Sequence, residues 1–247
     1  VSEAAPPIET FEELDSTNAE ARRRAEAGAT GPLWITARRQ TAGRGRRGRA
    51  WETGEGNLAA TLLATTTKPP AEAAQISFVA ALAVADVARA FLGQGKVSLK
   101  WPNDVLVDGK KAAGILVESG TRPDGVLWLA VGIGVNLAQA PDIPDRPATS
   151  FAEHMGGAQL APEDTLLVLV SALERWREAW ERDGFGPIAE AWTARAHGLG
   201  AACEARLPHE TLKGVAEGLD PDGALRLRLD DGSVRRITAG DVFFGEA

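Results

Sequence analysis

From Gln75 to Phe91 the apolar residues Ile76, Val79, Ala83, Val87 and Ala90 recur at spacings of three and four, which places them on one face of a helix. Gly93 and Gly95 stop it, and the period then shortens. Val97 to Leu99, Val105 to Val107, Ala113 to Val117 and Val126 to Val135 read as strands, with Asp108-Gly109 turning a hairpin between two of them. Nearer the start, Asp15-Ser16-Thr17-Asn18 caps a charged, alanine-rich helix that runs to Ala27, and Pro32 to Ala37 and Leu58 to Leu63 are two more short strands. Helix returns from Glu163 to Asp183, with Pro162 in its first turn, and from about Pro187 to His197. Beyond Gly198 and Gly200 the texture changes: Leu225, Leu227 and Leu229 alternate with Arg226 and Arg228, between turns at 221–223 and 230–232.

The central strands follow one another too closely for helical crossovers. The pattern therefore predicts an α+β fold, with a mixed or antiparallel sheet flanked by helices over residues 1–198 and a small barrel-like β domain over 199–247. At 247 residues the chain is long enough to bury a core in such an arrangement, and 44% hydrophobic with 25% charged residues is ordinary for a globular protein. A formal net charge of -7 argues against a surface that as a whole seeks nucleic acid, so any anion site must be local. One cysteine, Cys203, excludes an internal disulfide framework and suits a reducing, cytoplasmic setting. No apolar run is expected to reach the roughly 18 residues of a membrane span, and Val1-Ser2-Glu3 does not open a signal peptide.

The local anion site has an obvious candidate. Residues 38–49 carry six arginines, and no acid stands between Glu26 and Glu52 to neutralise them. Gly43, Gly45 and Gly48 let the backbone approach a ligand closely, while the guanidiniums between them offer paired donors that match phosphate or carboxylate. The same glycines satisfy G-x-G-x-x-G, but no helix opens at Trp51-Glu52-Thr53-Gly54 and position 68 is a lysine, so the dinucleotide fingerprint fails. The Walker and protein-kinase patterns fail too. A second candidate is Lys100-Trp101-Pro102-Asn103-Asp104, followed by Lys111 across a hairpin. Two ammoniums at one mouth of a sheet suit a doubly anionic ligand, since a pair of unit charges about 4 Å apart is worth roughly 4 kcal/mol at an effective dielectric near 20.

Four segments, Gly-Arg-Gly-Arg-Arg-Gly-Arg at 43–49, Lys-Trp-Pro-Asn-Asp at 100–104, Lys-Ala-Ala-Gly-Ile-Leu-Val-Glu at 111–118 and Gly-Ile-Gly-Val-Asn-Leu at 132–137, resemble biotin protein ligases in order and spacing. Ser16-Thr17-Asn18 and, more loosely, the carboxyl-terminal β domain extend the likeness over nearly the whole chain. The resemblance implies a catalytic domain like that of class II synthetases with an SH3-like carboxyl-terminal barrel. It also implies two steps: biotin and ATP, with Mg²⁺, give biotinyl-5'-AMP, and the biotinyl group passes to a lysine of a biotin carboxyl carrier protein of acetyl-CoA carboxylase or a related carboxylase.

By the same resemblance Ser16, Thr17, Asn18, Gln40, Gly43, Arg44, Arg46, Lys111 and Gly114 would hold biotin, with Arg44, Arg46 and Lys111 as the catalytic cations. Arg46, Arg47, Trp51, Lys100, Asn103 and Asn136 would organise the nucleotide. Some family members carry an amino-terminal helix-turn-helix; here Ser16-Thr17-Asn18 begins too early to leave room for one, so no DNA binding is expected. No membrane association is expected either, and similar enzymes can pair through sheet edges as homodimers. His154, His197 and His209 match no zinc spacing and read as structural or surface residues, so no metal ligand is assigned. Two rivals remain: a lipoate-type protein ligase, and a non-enzymatic nucleic-acid binder that uses 38–49 as a basic arm and would weaken steeply with salt.

Overall fold

The computed structural model describes residues 6–122, 124–142 and 147–245. The opening Val1-Ser2-Glu3 lies outside them. Strand β1 (Ile8–Leu14) leads through helix α1 (Thr17–Glu26) to β2 (Leu33–Gln40), and β3 (Leu58–Thr66) follows a long irregular connection. A single turn, α2 (Pro70–Ala73), precedes the core helix α3 (Ile76–Leu92). Four strands come next: β4 (Val97–Lys100), β5 (Asp104–Val107), β6 (Lys110–Thr121) and β7 (Leu127–Val135). Helices α4 (Phe151–His154), α5 (Pro162–Asp183) and α6 (Phe185–Thr193) close the larger part. The remainder is all strand: β8 (Ala202–Arg206), β9 (Thr211–Leu219), β10 (Leu225–Arg228), β11 (Val234–Ile237) and β12 (Asp241–Phe244).

The first seven strands form one sheet in the order β1-β2-β3-β7-β6-β5-β4. It is mixed, because β1 and β2 run parallel, joined by the α1 crossover, while every other neighbouring pair is antiparallel. The last five make a separate antiparallel sheet, β11-β10-β9-β8-β12. Both sheets share a core: Val79, Leu82, Leu99, Trp101 and Trp192 belong to the same buried cluster as Ala205, Leu225, Leu227 and Val242. The indole N–H of Trp101 donates to the Gly223 carbonyl at 3.1 Å across that seam.

Three expectations need correction. β1 carries no clean apolar alternation and was not anticipated; its acids are held by basic residues of α1 and β2, as in Glu9 with Arg24 and Glu13 with Arg39. The second late helix ends at Thr193, not His197, because residues 195–197 instead bond to the β4 edge through Leu99 N to Arg195 O and His197 N to Leu99 O. Residues 70–92 are, after all, long and apolar enough by length and composition to cross a membrane. In the fold this stretch is the central helix, with Val79, Ala80, Leu82 and Ala83 fully buried.

Candidate active site

A cavity of about 750 Å³ opens where the antiparallel part of the large sheet meets the small β domain. Its size suits a drug-sized ligand, for which pockets of about 300–1,000 Å³ are usual. Of the residues singled out in the sequence, Ser16, Thr17, Asn18, Gln40, Arg44, Arg46, Trp51, Lys100, Asn103, Lys111, Gly114 and Asn136 all line it. Gly43 and Arg47 do not. A second cavity of about 1160 Å³, on the side of β1 and β2, is lined by Arg38 and Arg39 of the arginine run but by none of the residues assigned to biotin or nucleotide.

The amino terminus of α1 supplies one wall. Ser16 caps the helix, its hydroxyl accepting from Ala19 N at 3.5 Å, so Thr17 and Asn18 stand in the first turn with their side chains buried. Gln40 Oε1 accepts from Thr17 N at 2.8 Å and from the Thr17 hydroxyl at 3.1 Å, and its amide donates to Thr53 Oγ1 at 2.9 Å. Thr61, fully buried in β3, lies within hydrogen-bond distance of Thr17 Oγ1 (2.8 Å) and Asn18 Oδ1 (2.7 Å). This is a satisfied polar network, which fixes donor and acceptor directions before any ligand arrives.

Glycines make the floor thin. A Cβ on Gly132 would run into the Asn18 carboxamide, one on Gly134 into the Trp51 indole, and one on Gly114 would come 3.1 Å from Lys111 Nζ. Trp51 therefore lies flat against β6 and β7, with Lys111 Nζ 5.6 Å from its ring centroid. Trp51 arrives there on a tight loop, pinned by Trp51 N to Gly43 O at 2.9 Å and Gly45 N to Arg49 O at 2.7 Å. Gly43 is itself wedged against the Trp51 backbone, which explains why a side chain is excluded there.

The arginines of 38–49 are not an uncompensated field, as the sequence suggested; distant acids meet them. Arg38 pairs with Glu12 and Glu163, Arg39 with Glu13, Arg44 with Glu118 at 3.2 Å, and Arg47 and Arg49 with Asp241. Arg46 instead donates to Asn103 Oδ1 at 3.2 Å. Burial pushes its guanidinium below the ordinary arginine value, and the charges of Asp241 and Asp104 oppose that shift. Arginine keeps its proton in proteins, so a half-buried cation faces the cavity. Lys111 Nζ is 2.5 Å from Asp104 Oδ1.

The far wall holds Asn136, which is 2% exposed and donates to the Thr149 carbonyl at 3.2 Å while its Oδ1 meets no partner among the described residues. A buried acceptor without a donor is costly, and here it borders the cavity. Lys100 stands near the mouth, 5.4 Å from the Phe243 ring centroid. His197, read from sequence as a structural or surface residue, also lines the cavity. Burial, and then the Lys100 charge, push its imidazole below 6.5, which keeps it neutral at pH 7. Sequence reasoning missed Thr61, Asp241 and His197 as parts of this assembly. Asp104 and Glu118 lie within the segments 100–104 and 111–118, where the sequence offers no role for them. No group of three or more His, Cys, Asp or Glu residues fit to hold a metal occurs among the described residues.

Cations, amides and hydroxyls from both parts of the fold thus gather around one concave space beside the glycine-arginine loop, an arrangement suited to an anionic ligand. The pattern described as the biotin/lipoate A/B protein ligase family matches residues 11–136, and that of the biotin protein ligase C terminal domain matches residues 198–245. The chain belongs to this ligase family. It is 45% identical over 236 residues to the biotin--[acetyl-CoA-carboxylase] ligase of Paracoccus denitrificans, covering 94% of this chain and 98% of that protein. It is 33% identical over 237 residues to the bifunctional ligase/repressor BirA of Bacillus subtilis, covering 94% of this chain and 72% of that protein. Among solved structures, the biotin protein ligase of Aquifex aeolicus in complex with biotin and ATP superposes with a TM-score of 0.81 at 26% identity, covering 98% of this chain and 99% of the other.

Proposed function

We propose that this chain activates biotin with ATP to biotinyl-5'-AMP and then transfers the biotinyl group to a lysine of a biotin carboxyl carrier protein. The observation that carries the reading is the convergence of Arg44, Arg46 and Lys111 on one cavity that Ser16, Thr17, Asn18 and Gln40 also line. The relatives named above point the same way, and their names favour biotin over the lipoate alternative. Against a basic nucleic-acid arm stands the engagement of Arg44, Arg47 and Arg49 with carboxylates.

In the first step a carboxylate oxygen of biotin bonds to the α-phosphorus of ATP. The bond to the bridging oxygen breaks, and pyrophosphate leaves with the electron pair. Mg²⁺, entering with the nucleotide, screens the phosphate charges. The chain's own part is positioning and charge relief. In this reading Arg46 and Lys111 face the carboxylate–phosphoryl junction, with Arg44 beside them. Ser16, Thr17, Asn18 and Gln40 match the urea-like ring, and Gly43 and Gly114 give the clearance. The free Oδ1 of Asn136 suits the amine of a nucleobase, while Trp51, Lys100, Asn103 and Arg47 complete the nucleotide side. In the second step the neutral lysine nitrogen bonds to the acyl carbon, the bond to AMP breaks, and the nitrogen sheds a proton. Cys203 and the histidines have no covalent part, and the setting is cytoplasmic.

Thermal unfolding with biotin, with ATP, and with both tests this directly. A joint rise larger than the sum of the separate ones is expected, because trapped adenylate binds only the folded state. A carrier protein incubated with the chain, biotin and ATP should gain the mass of one biotinyl group on a lysine. No joint stabilisation and no such mass would rule the reading out.

A further inference from the structure

The loop that roofs the cavity is fastened from the small β domain. Asp241 opens β12, opposite Arg206 of β8. Its carboxylate, only 18% exposed, receives Arg47 at 3.3 Å and Arg49 more closely still, and Arg47 also donates to the Arg206 carbonyl at 3.3 Å. Between Gly45 and Arg49 the loop has little else to hold it: two backbone bonds of its own, Gly45 N to Arg49 O and Arg49 N to Arg46 O, and the bond from Arg46 to Asn103. Arg47 sits at φ 57, a left-handed conformation that a non-glycine residue adopts only when its surroundings impose it. Among the charges that favour the half-buried Arg46 cation, that of the same carboxylate is the strongest. One acid thus holds two loop arginines from outside and steadies, through space, the third that turns inward.

We infer that Asp241 is a positioning residue, the latch through which the carboxyl-terminal domain keeps residues 43–51 closed over the cavity until the acyl-adenylate has been used. The inference rests on the adenylate-forming reading above. Its chemical consequence concerns leakage. With the loop open, the oxygen of a water molecule bonds to the acyl carbon, the bond from that carbon to AMP breaks, AMP departs with the electron pair, and biotin and AMP are lost without transfer.

The test follows pyrophosphate release from biotin and ATP without any carrier protein. The native chain gives a first burst of one equivalent and then slow release set by loss of adenylate. Asp241→Ala and Asp241→Asn should keep the burst rate within about threefold and raise the later release tenfold or more, while Asp241→Glu restores most of the retention. Arg49→Ala, which removes the closer of the two latch contacts from the loop side and leaves the small domain untouched, should leak in the same way. Trypsin should cut after the loop arginines faster in Asp241→Asn than in the native chain. A burst in every variant with unchanged later release and unchanged cleavage overturns the latch and leaves the ligase reading intact. Absence of a burst in the native chain overturns both.

Discussion

At Gly134 a methyl group would enter the space that the Trp51 indole occupies, and the indole in turn lies across Gly114 and beneath Lys111. Gly134 has no positive φ that would demand glycine, so its constraint is clearance alone. Gly134→Ala should therefore lift Trp51 off β7 and disturb the loop without unfolding the sheet. The expected outcome is a loss of nucleotide-dependent stabilisation with a melting temperature, free of ligand, close to native. Tryptophan fluorescence and calorimetry read the two effects separately, and intact joint binding of biotin and ATP would contradict the role given to the indole. At this scale much of the site is legible in the sequence. Lys111 stands in a short motif on β6 and Asn103 in one that spans the turn between β4 and β5, and Ser16 announces itself as a helix cap. Asp241 and Thr61 are not legible, since nothing near them in the chain marks them; each acquires its partners only when β12 meets the arginine loop, or β3 meets α1.

Elements show the same division between local and distant causes. Helix α3 declares its face through periodicity, and the β5–β6 hairpin through Asp108-Gly109 at positive φ. β1 does not, because Glu9, Glu12 and Glu13 interrupt its pattern, and its place in the sheet comes from the parallel register with β2, in which Thr10 faces Thr36. Where β1 hands over to α1, Arg23 grips Asp15 with its two terminal guanidinium nitrogens at 2.8 and 2.9 Å, and Ser16 N adds a bond at 2.8 Å. The Arg23 hydrogen bond leads in holding the Asp15 carboxyl at about 2, below its ordinary 3.8. Since the folded value is depressed, this contribution to stability is complete above pH 3.8 and is lost as pH falls through about 2. Both side chains are nearly half exposed, so screening keeps the gain modest. A carboxyl-carbon titration should find Asp15 near 2 in the native chain and returned toward 3.8 in Arg23→Gln. An unmoved midpoint would transfer the effect to the Ser16 backbone bond.

On the scale of the whole molecule one buried cluster takes in Phe78 and Trp192 as well as Leu225 and Val242, so the two sheets are expected to unfold as one body. Gly223 sits on that seam at φ +91, its carbonyl accepting a hydrogen bond from the Trp101 indole N–H, and a Cβ there would come 2.7 Å from the Phe78 ring. Phe78 cannot retreat freely, being in edge contact with both Phe185 and Trp192 at 5.3 and 5.5 Å between centroids. Gly223→Ala thus combines overpacking, which costs about 1–3 kcal/mol in a filled core, with an unfavourable backbone angle. For a chain of this length each kcal/mol is worth roughly 2–4 °C in melting temperature, so the overpacking alone should lower it by about 2–12 °C. Its form matters more than its size. If the seam is continuous, calorimetry should show one transition that moves as a unit, with loop closure and ligand retention failing together with the barrel. A variant in which a small early transition separates from an unmoved main peak would show instead that the barrel melts alone, and the large sheet would then hold its cavity without it.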